Sequence, residues 1–431
     1  MSAVEAFREA AAAHQRCFWL DGGGAREWSG HRSLIGVLEP DDVSLTYSAR
    51  TGEVTRHVDG EAEVVGSDVF AVLEDELARG SHRDQWFGYF GYAARPDLPA
   101  LVAAPGADVP DAVWMRPSQL RIFDHELRRR NGTSGAETSA PNVQFHRLAG
   151  ETPPVYARAF AQVQEHLHAG NSYEVNLTYR VDTTSALDPV AAYLRLRALN
   201  PAPYAGFLQH DVDGARGWLL SSSPERYALV TRDEDEDVRT IETKPIKGTT
   251  PRGAPPEEDE ELRRALATEP RFRAENLMIT DLLRNDLAMV CDVGSVAVPA
   301  LLAVESYPTV HQLVSTVRGR LREDVSTVAA LRALFPAGSM TGAPKLRTME
   351  VIEEVEATPR VAYAGAFGWL AADGRADLGV IIRSLTTAGD GRYRLGTGGG
   401  ITVQSSVDDE YAESRWKAER LLTSLLPLAE A

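Results

Sequence analysis

Lys247 stands in Thr243-Lys244-Pro245-Ile246-Lys247-Gly248-Thr249, where a proline and a glycine flank a single Ile–Lys pair. Proline fixes its own φ and glycine admits turn geometry, so the backbone reads as a pinned turn with the lysine projecting from a fixed point. A fixed, partly desolvated lysine can lose its proton near neutrality and act as a nucleophile. A solvated turn lysine is the commoner outcome of the same pattern. Glu410 and Glu413 are three residues apart, with Lys417 four further on, so the three share one face of a predicted terminal helix. Carboxylates at this spacing can hold Mg²⁺, which wants hard oxygens, although a solvated charge stripe has the same spacing. Glu275, in Arg273-Ala274-Glu275-Asn276, is either a third metal ligand or a surface helix glutamate.

Gly398-Gly399-Gly400 reads as a turn, either a plain tight one or one whose successive N–H groups meet an anion. The helix start at Thr341-Gly342-Ala343-Pro344 offers N–H groups in the same way. Arg383 interrupts the apolar run Val380-Ile381-Ile382, and a guanidinium buried there needs a carboxylate from the protein or from a ligand. His311 lies between Val310 and Leu313, as a satisfied core histidine or as a proton carrier.

These residues must be positioned by the elements around them. From residue 17 to about 122, strand-like segments alternate with Gly- and Pro-marked turns, and one helix is predicted over 67–78. Residues 128–154, led by Arg128, Arg129 and Arg130 and rich in Gly, Ser, Thr and Pro, read as a surface linker or a long loop. The boundary it suggests separates a β-rich region, 1–150, from 151–431, with both open to being one domain. Helical spacing covers 154–169, 189–199, 271–286, 327–334, 345–355 and 407–426, the fifth opened by a Thr341 hydroxyl cap and Pro344. Strand patterns fall at 173–181, 218–221, 226–230, 293–304, 311–321, 363–370, 378–385 and 393–396. The acidic run 233–237 reads as a hairpin tip, and the Pro- and acid-rich 251–261 as a loop, a mobile cover or plain surface. Without regular β-α-β alternation, the expected class is α+β with large mixed, mostly antiparallel sheets.

The 431 residues are 43% hydrophobic, enough for a large core in one domain or two. A formal charge of −17 argues against a nucleic-acid or anionic-membrane binder. Cys17 and Cys291 are the only cysteines, which excludes a disulfide framework. No uncharged apolar run approaches the roughly 20 residues of a membrane span. The first residues, with Glu5, Arg8, Glu9 and Arg16, do not read as a signal peptide. A cytoplasmic enzyme is expected.

Eight segments in order resemble the chorismate-utilising enzymes, namely anthranilate, aminodeoxychorismate, isochorismate and salicylate synthases. They are Ser223-Pro224-Glu225-Arg226; Pro245-Ile246-Lys247-Gly248-Thr249; Arg273-Ala274-Glu275-Asn276-Leu277 with Asp281-Leu282-Leu283-Arg284-Asn285-Asp286; Val310-His311; Thr341-Gly342-Ala343-Pro344-Lys345; Ile382-Arg383; Gly398-Gly399-Gly400-Ile401; and Glu410-Tyr411-Ala412-Glu413. The resemblance covers roughly residue 170 to the C-terminus, and Trp86-Phe87-Gly88-Tyr89-Phe90-Gly91 is similar but less specific. Where anthranilate synthases carry alanine between Ile and Gly, the chain has Lys247, the choice typical of aminodeoxychorismate synthases. Where isochorismate and salicylate synthases place a lysine to activate water, it has Glu174, and a carboxylate there can also act as a base.

The resemblance implies sheets packed as a sandwich with helices, and a chorismate-binding catalytic region over 151–431. It implies Mg²⁺-dependent conversion of chorismate and ammonia to 4-amino-4-deoxychorismate, in 4-aminobenzoate and folate synthesis. Glu275, Glu410 and Glu413 would hold the metal. Thr341, Tyr363, Arg383, Lys417 and the amides of Gly398, Gly399 and Gly400 would hold the substrate's carboxylates. Glu225 would protonate the departing C4 hydroxyl and Lys247 would attack C2, with His311 in a supporting role. Nothing resembles a glutamine amidotransferase, so family membership implies ammonia from a separate glutaminase subunit. The alternatives are an anthranilate, isochorismate or salicylate synthase, or a non-catalytic ligand-binding relative. Some relatives hold tryptophan in a pocket built partly from an Asn-Pro-x-Pro-Tyr segment. Asn200-Pro201-Ala202-Pro203-Tyr204 matches it, while Leu20-Asp21-Gly22 lacks the serine usual at the pocket's other part.

Overall fold

A computed structural model describes residues 1–22, 32–104, 109–125, 151–233, 235, 237–307 and 310–426. The predicted linker lies outside these up to residue 150. Among the described residues the strands form two sheets whose pairings are all antiparallel. Nine strands run in the order Gly342–Ala343, Glu174–Thr184, Arg392–Ile401, Ser384–Thr387, Gly217–Ser223, Tyr204–His210, Arg16–Asp21, Arg32–Val37 and Gln119–Asp124. The second sheet has twelve. Its path is Ile246–Pro251, Val310–Arg320, Val238–Lys244, Arg226–Asp233, Ala376–Val380, Ala366–Ala371, Gln85–Phe90, Ala112–Met115, Ser44–Ser48, Glu53–Val58 and Glu61–Gly66. Ala297–Ser306 adds to Val310–Arg320 off this path. Both sheets take strands from either side of residue 150.

The period-2 alternation of strand side chains builds the layers. On Arg16–Asp21, Phe18 points between the sheets and stacks on Phe87 with ring centroids 4.0 Å apart. Leu208 and Leu219 from one sheet and Tyr89, Val113 and Phe367 from the other complete that inner core. Cys17 and Trp19 point the other way, onto the helices Ala3–Ala13, Pro189–Leu199 and Val407–Leu425. The outer face of the larger sheet is covered by Val69–Arg79, Pro270–Ala288, Thr327–Leu334 and Lys345–Val355. Each fully buried aromatic side chain contributes about 1.5–3 kcal/mol, so these three cores carry the fold. No helix among the described residues is long and apolar enough to cross a membrane.

Several local expectations change. Ala3–Ala13 is a helix that the sequence reading passed over. It buries Ala3, Ala6, Phe7 and Ala10 and is closed by a Ser2–Glu5 capping box. The segment read as a loop at 251–261 runs into the helix Pro256–Thr268, whose Pro256 and first-turn Glu257, Glu258 and Asp259 are helix-start residues. Gly398, Gly399 and Gly400 form no turn. They lie within the strand Arg392–Ile401, opposite Thr178, Leu177 and Asn176. Thr341 does not cap Lys345–Val355, because Gly342–Ala343 intervenes as a short strand against Glu174 and Val175.

Candidate active site

Lys247 lies on the strand Ile246–Pro251 rather than in a turn. Ile246 faces Val314 and Thr249 faces Gln312, so three steps on one strand oppose two on its partner. This is a β-bulge, which re-aims the side chain it carries. Gly248 makes it possible: its φ is +89°, and a Cβ there would come within 2.8 Å of the Phe272 ring. The Lys247 side chain is only 11% exposed, and its Nζ donates to Glu174 Oε1.

Glu174 reaches that point through strand alternation. Val175 and Leu177 turn into a core with Phe160, Val163, Val351 and Ile401, which leaves Glu174 and Asn176 on the opposite face. Its backbone is clamped by the Gly342–Ala343 strand and by the Ser172 hydroxyl, which donates to the Glu174 carbonyl at 2.8 Å. The glycine strand leaves room for the side chains. A Cβ on Gly400 would fall 2.1 Å from Glu174 Oε1 and 3.1 Å from Lys247 Nζ. One on Gly399 would fall 3.1 Å from Glu410 Oε2 and 3.6 Å from Lys417 Nζ. Burial opposes the charge on Lys247, but Glu174, Glu275 and Glu225 outweigh it and raise its pKa above the usual lysine value. The sequence leaves the protonation of this amine open; in this arrangement the surrounding carboxylates hold it as an ammonium.

The lysine opens onto a cavity of about 360 Å³, also lined by Glu225, Glu275, Arg383, Glu410 and Lys417. Burial raises the Glu225 pKa to about 7, against the opposing effect of the Ser339 hydroxyl, which donates to Oε1 at 2.6 Å. Arg383 has a φ of +51°. Its guanidinium meets no acceptor among the described residues, and it sits 5.7 Å from the Trp416 ring centroid. Burial pulls its pKa down to about 10, so it is a cation in want of an anion. Tyr363 shares the wall, held from behind by Arg180 4.6 Å from its ring centroid.

On the remaining wall, Glu275 comes from Pro270–Ala288 and Glu410 and Glu413 from Val407–Leu425. The Arg271 guanidinium bridges Glu275, at 3.0 Å, and Glu410. Lys417 pairs with Glu413 at 2.8 Å and donates to the Gly398 carbonyl at 3.0 Å. Among the described residues no three acidic, His or Cys groups converge as a ligand set in this arrangement. The donors nonetheless suit a hard cation: burial raises the Glu410 pKa, Glu413 adds to it, and a protein cation already sits between two of the acids.

Residues 15–423 match the chorismate binding enzyme family. The chain belongs to that family. It is 38% identical to an aminodeoxychorismate synthase of Streptomyces griseus over 95% of its own length and 60% of that protein's. It thus spans about three-fifths of that relative. It is 35% identical to aminodeoxychorismate synthase component 1 of Klebsiella aerogenes, over 93% of this chain and 92% of the relative. Its fold is shared with anthranilate synthase component I from Streptococcus pneumoniae, with a TM-score of 0.72 and 24% identity over 91% of this chain and 92% of that one.

In this member of the chorismate binding enzyme family, two expected site residues stand outside the cavity wall. His311 directs Nε2 to Asp259, 3.0 Å away, and Nδ1 to Ser306, 2.8 Å away, while its neighbour Gln312 faces the cavity. Thr341 is fully buried and its hydroxyl donates to the Gly338 carbonyl at 3.2 Å. Ser339, Asn176, Arg271 and Trp416 line the cavity without having been singled out. Only contact in three dimensions reveals them, apart from Trp416, which follows Glu413 by three positions on one helix face. Leu20, Asp21, Gly22, Pro203 and Tyr204 line a separate cavity of about 450 Å³, where Asp21 is held by Arg197 at 2.5 Å.

Proposed function

We propose that the chain converts chorismate and ammonia to 4-amino-4-deoxychorismate, the 4-aminobenzoate branch of folate synthesis, through an adduct at Lys247. The observation that carries this is a buried lysine facing the same cavity as a carboxyl whose pKa burial raises to about 7 and an arginine without an acceptor among the described residues. Chorismate is a dianion with a hydroxyl that leaves poorly. Arg383, with Tyr363 beside it, suits the enolpyruvyl carboxylate. Glu225, protonated below about pH 7, suits the proton donor to the C4 oxygen. Lys247 attacks C2 as that oxygen departs, and ammonia at C4 then expels the amine. Glu275, Glu410 and Glu413 would hold Mg²⁺, which would supply Lewis-acid polarisation and hold the ring carboxylate. Arg271 must swing off Glu275 and Glu410 for that, and at one-third side-chain exposure it has the freedom to do so. The names of the relatives support the same product over anthranilate, and the component 1 name of the Klebsiella protein supports a separate partner component, to which we assign the supply of ammonia. Incubation with chorismate, Mg²⁺ and ammonium should yield the aminodeoxychorismate mass, with none from Lys247→Ala. Anthranilate fluorescence instead would overturn the assignment.

A further inference from the structure

Lys247 cannot attack while protonated, and its contacts point to where the proton goes. Glu174 is the carboxylate in direct contact with Nζ. It is fully buried, and its second oxygen, Oε2, is enclosed without a hydrogen-bond partner among the described residues. Such an orphan is costly unless it has work to do. The surroundings preserve the contact: Gly400 leaves it space, and Gly342, whose Cβ would lie 1.9 Å from the Glu174 carbonyl, lets the clamping strand close on it.

We infer that Glu174 is the proton acceptor that frees the Lys247 amine for attack and returns the proton when the amine leaves. This rests on the Lys247 adduct proposed above. In the first half-reaction the ammonium passes a proton to Glu174, and the nitrogen lone pair forms the N–C2 bond. The two ring double bonds shift, the C4–O bond breaks, and the oxygen leaves as water with the proton of Glu225. In the second, ammonia forms the C4–N bond, the double bonds shift back and the C2–N bond breaks. The departing Lys247 amine recovers its proton from Glu174, and Glu225 takes one from the new C4 ammonium. Charge balance therefore stays within Glu174, Lys247, Glu225 and the substrate. The other charged groups facing the pair are Arg271 and Glu275 from Pro270–Ala288, Glu225, and Glu413 from the terminal helix.

The test is the rate of adduct formation at Lys247, followed by mass spectrometry of intact protein with chorismate and Mg²⁺ but no ammonia, from pH 6 to 9. No adduct in the unaltered protein would overturn the Lys247 assignment itself. If the adduct forms, Glu174→Gln should slow it about 100-fold at pH 7. The ratio of variant to unaltered rate should then climb about tenfold per pH unit, because the amine must now lose its proton to solvent. Glu174→Asp, which keeps a carboxylate, should be slower by a ratio that does not change with pH. If Glu174→Gln fails to fold, this aspartate variant decides, a climbing ratio counting against the proposal. A Glu174→Gln protein that forms adduct as fast as the unaltered one at pH 7, or slower by a pH-independent ratio, would show Glu174 to be a mere counter-ion and overturn the proposal.

Discussion

Glu225 shows how one side chain's surroundings set its chemistry. Its carboxyl is buried and accepts from the Ser339 hydroxyl, and burial lifts its pKa to about 7 against the opposing pull of Ser339 and Lys247. A raised carboxyl pKa means the proton is held below that value and lost above it. Turnover should therefore fall as pH rises through about 7, since the departing hydroxyl loses its proton donor. Glu225→Gln should reduce kcat by about 10²–10⁴ and abolish that limb of the profile, which steady-state rates from pH 5.5 to 9 would reveal. At this scale the sequence was informative. Lys247, Glu225, Glu275, Arg383, Glu410, Glu413, Lys417 and Tyr363 all line one cavity. His311 and Thr341 do not, because strand alternation turns one away and a backbone carbonyl takes the hydroxyl of the other.

Among the elements, the glycine strand is the clearest case of a correct residue with a mistaken setting. Three glycines in succession favour a turn on local grounds, and nothing local reveals that Glu174, Lys247 and Glu410 need the missing Cβ space on a strand. Gly400 has no positive φ, so alanine fits its backbone but not its surroundings. Gly400→Ala should leave the thermal midpoint within a few degrees of the unaltered protein while reducing adduct formation at Lys247 at least tenfold, because the methyl displaces the Glu174–Lys247 contact. A variant with full adduct yield would refute that role. The Pro-rich segment before Pro256–Thr268 was misread for a related reason. Proline and acidic residues mark both loops and helix starts, and the apolar face deciding between them amounts mainly to Leu266.

At the scale of the whole molecule, the cavity is held together by a buried charge cluster. Glu356 receives Arg360 at 2.6 Å and Arg180 at 3.2 Å, and Arg360 also donates to the Met340 and Asn176 carbonyls. The glycine-paired strand and the segment carrying Ser339 are thereby joined. Glu356→Ala would strand two buried guanidinium groups, and urea unfolding should show a loss of about 3–5 kcal/mol. An unchanged midpoint would argue that water reaches them. The expected α+β class and antiparallel sheets were legible from alternation and turn residues. Which strands become neighbours was not, since Arg16 pairs with His210 and Gly368 with Gly88 across long stretches of chain.

That interleaving has a practical consequence for anyone who would dissect the protein. Cutting near residue 150 would strip Tyr204–His210 of Arg16–Asp21, and Ala366–Ala371 of Gln85–Phe90, baring two hydrogen-bonding edges and the apolar surface beneath them. Either fragment made alone should collect in inclusion bodies, and synthesis of the two together should rescue them as a nicked but native particle.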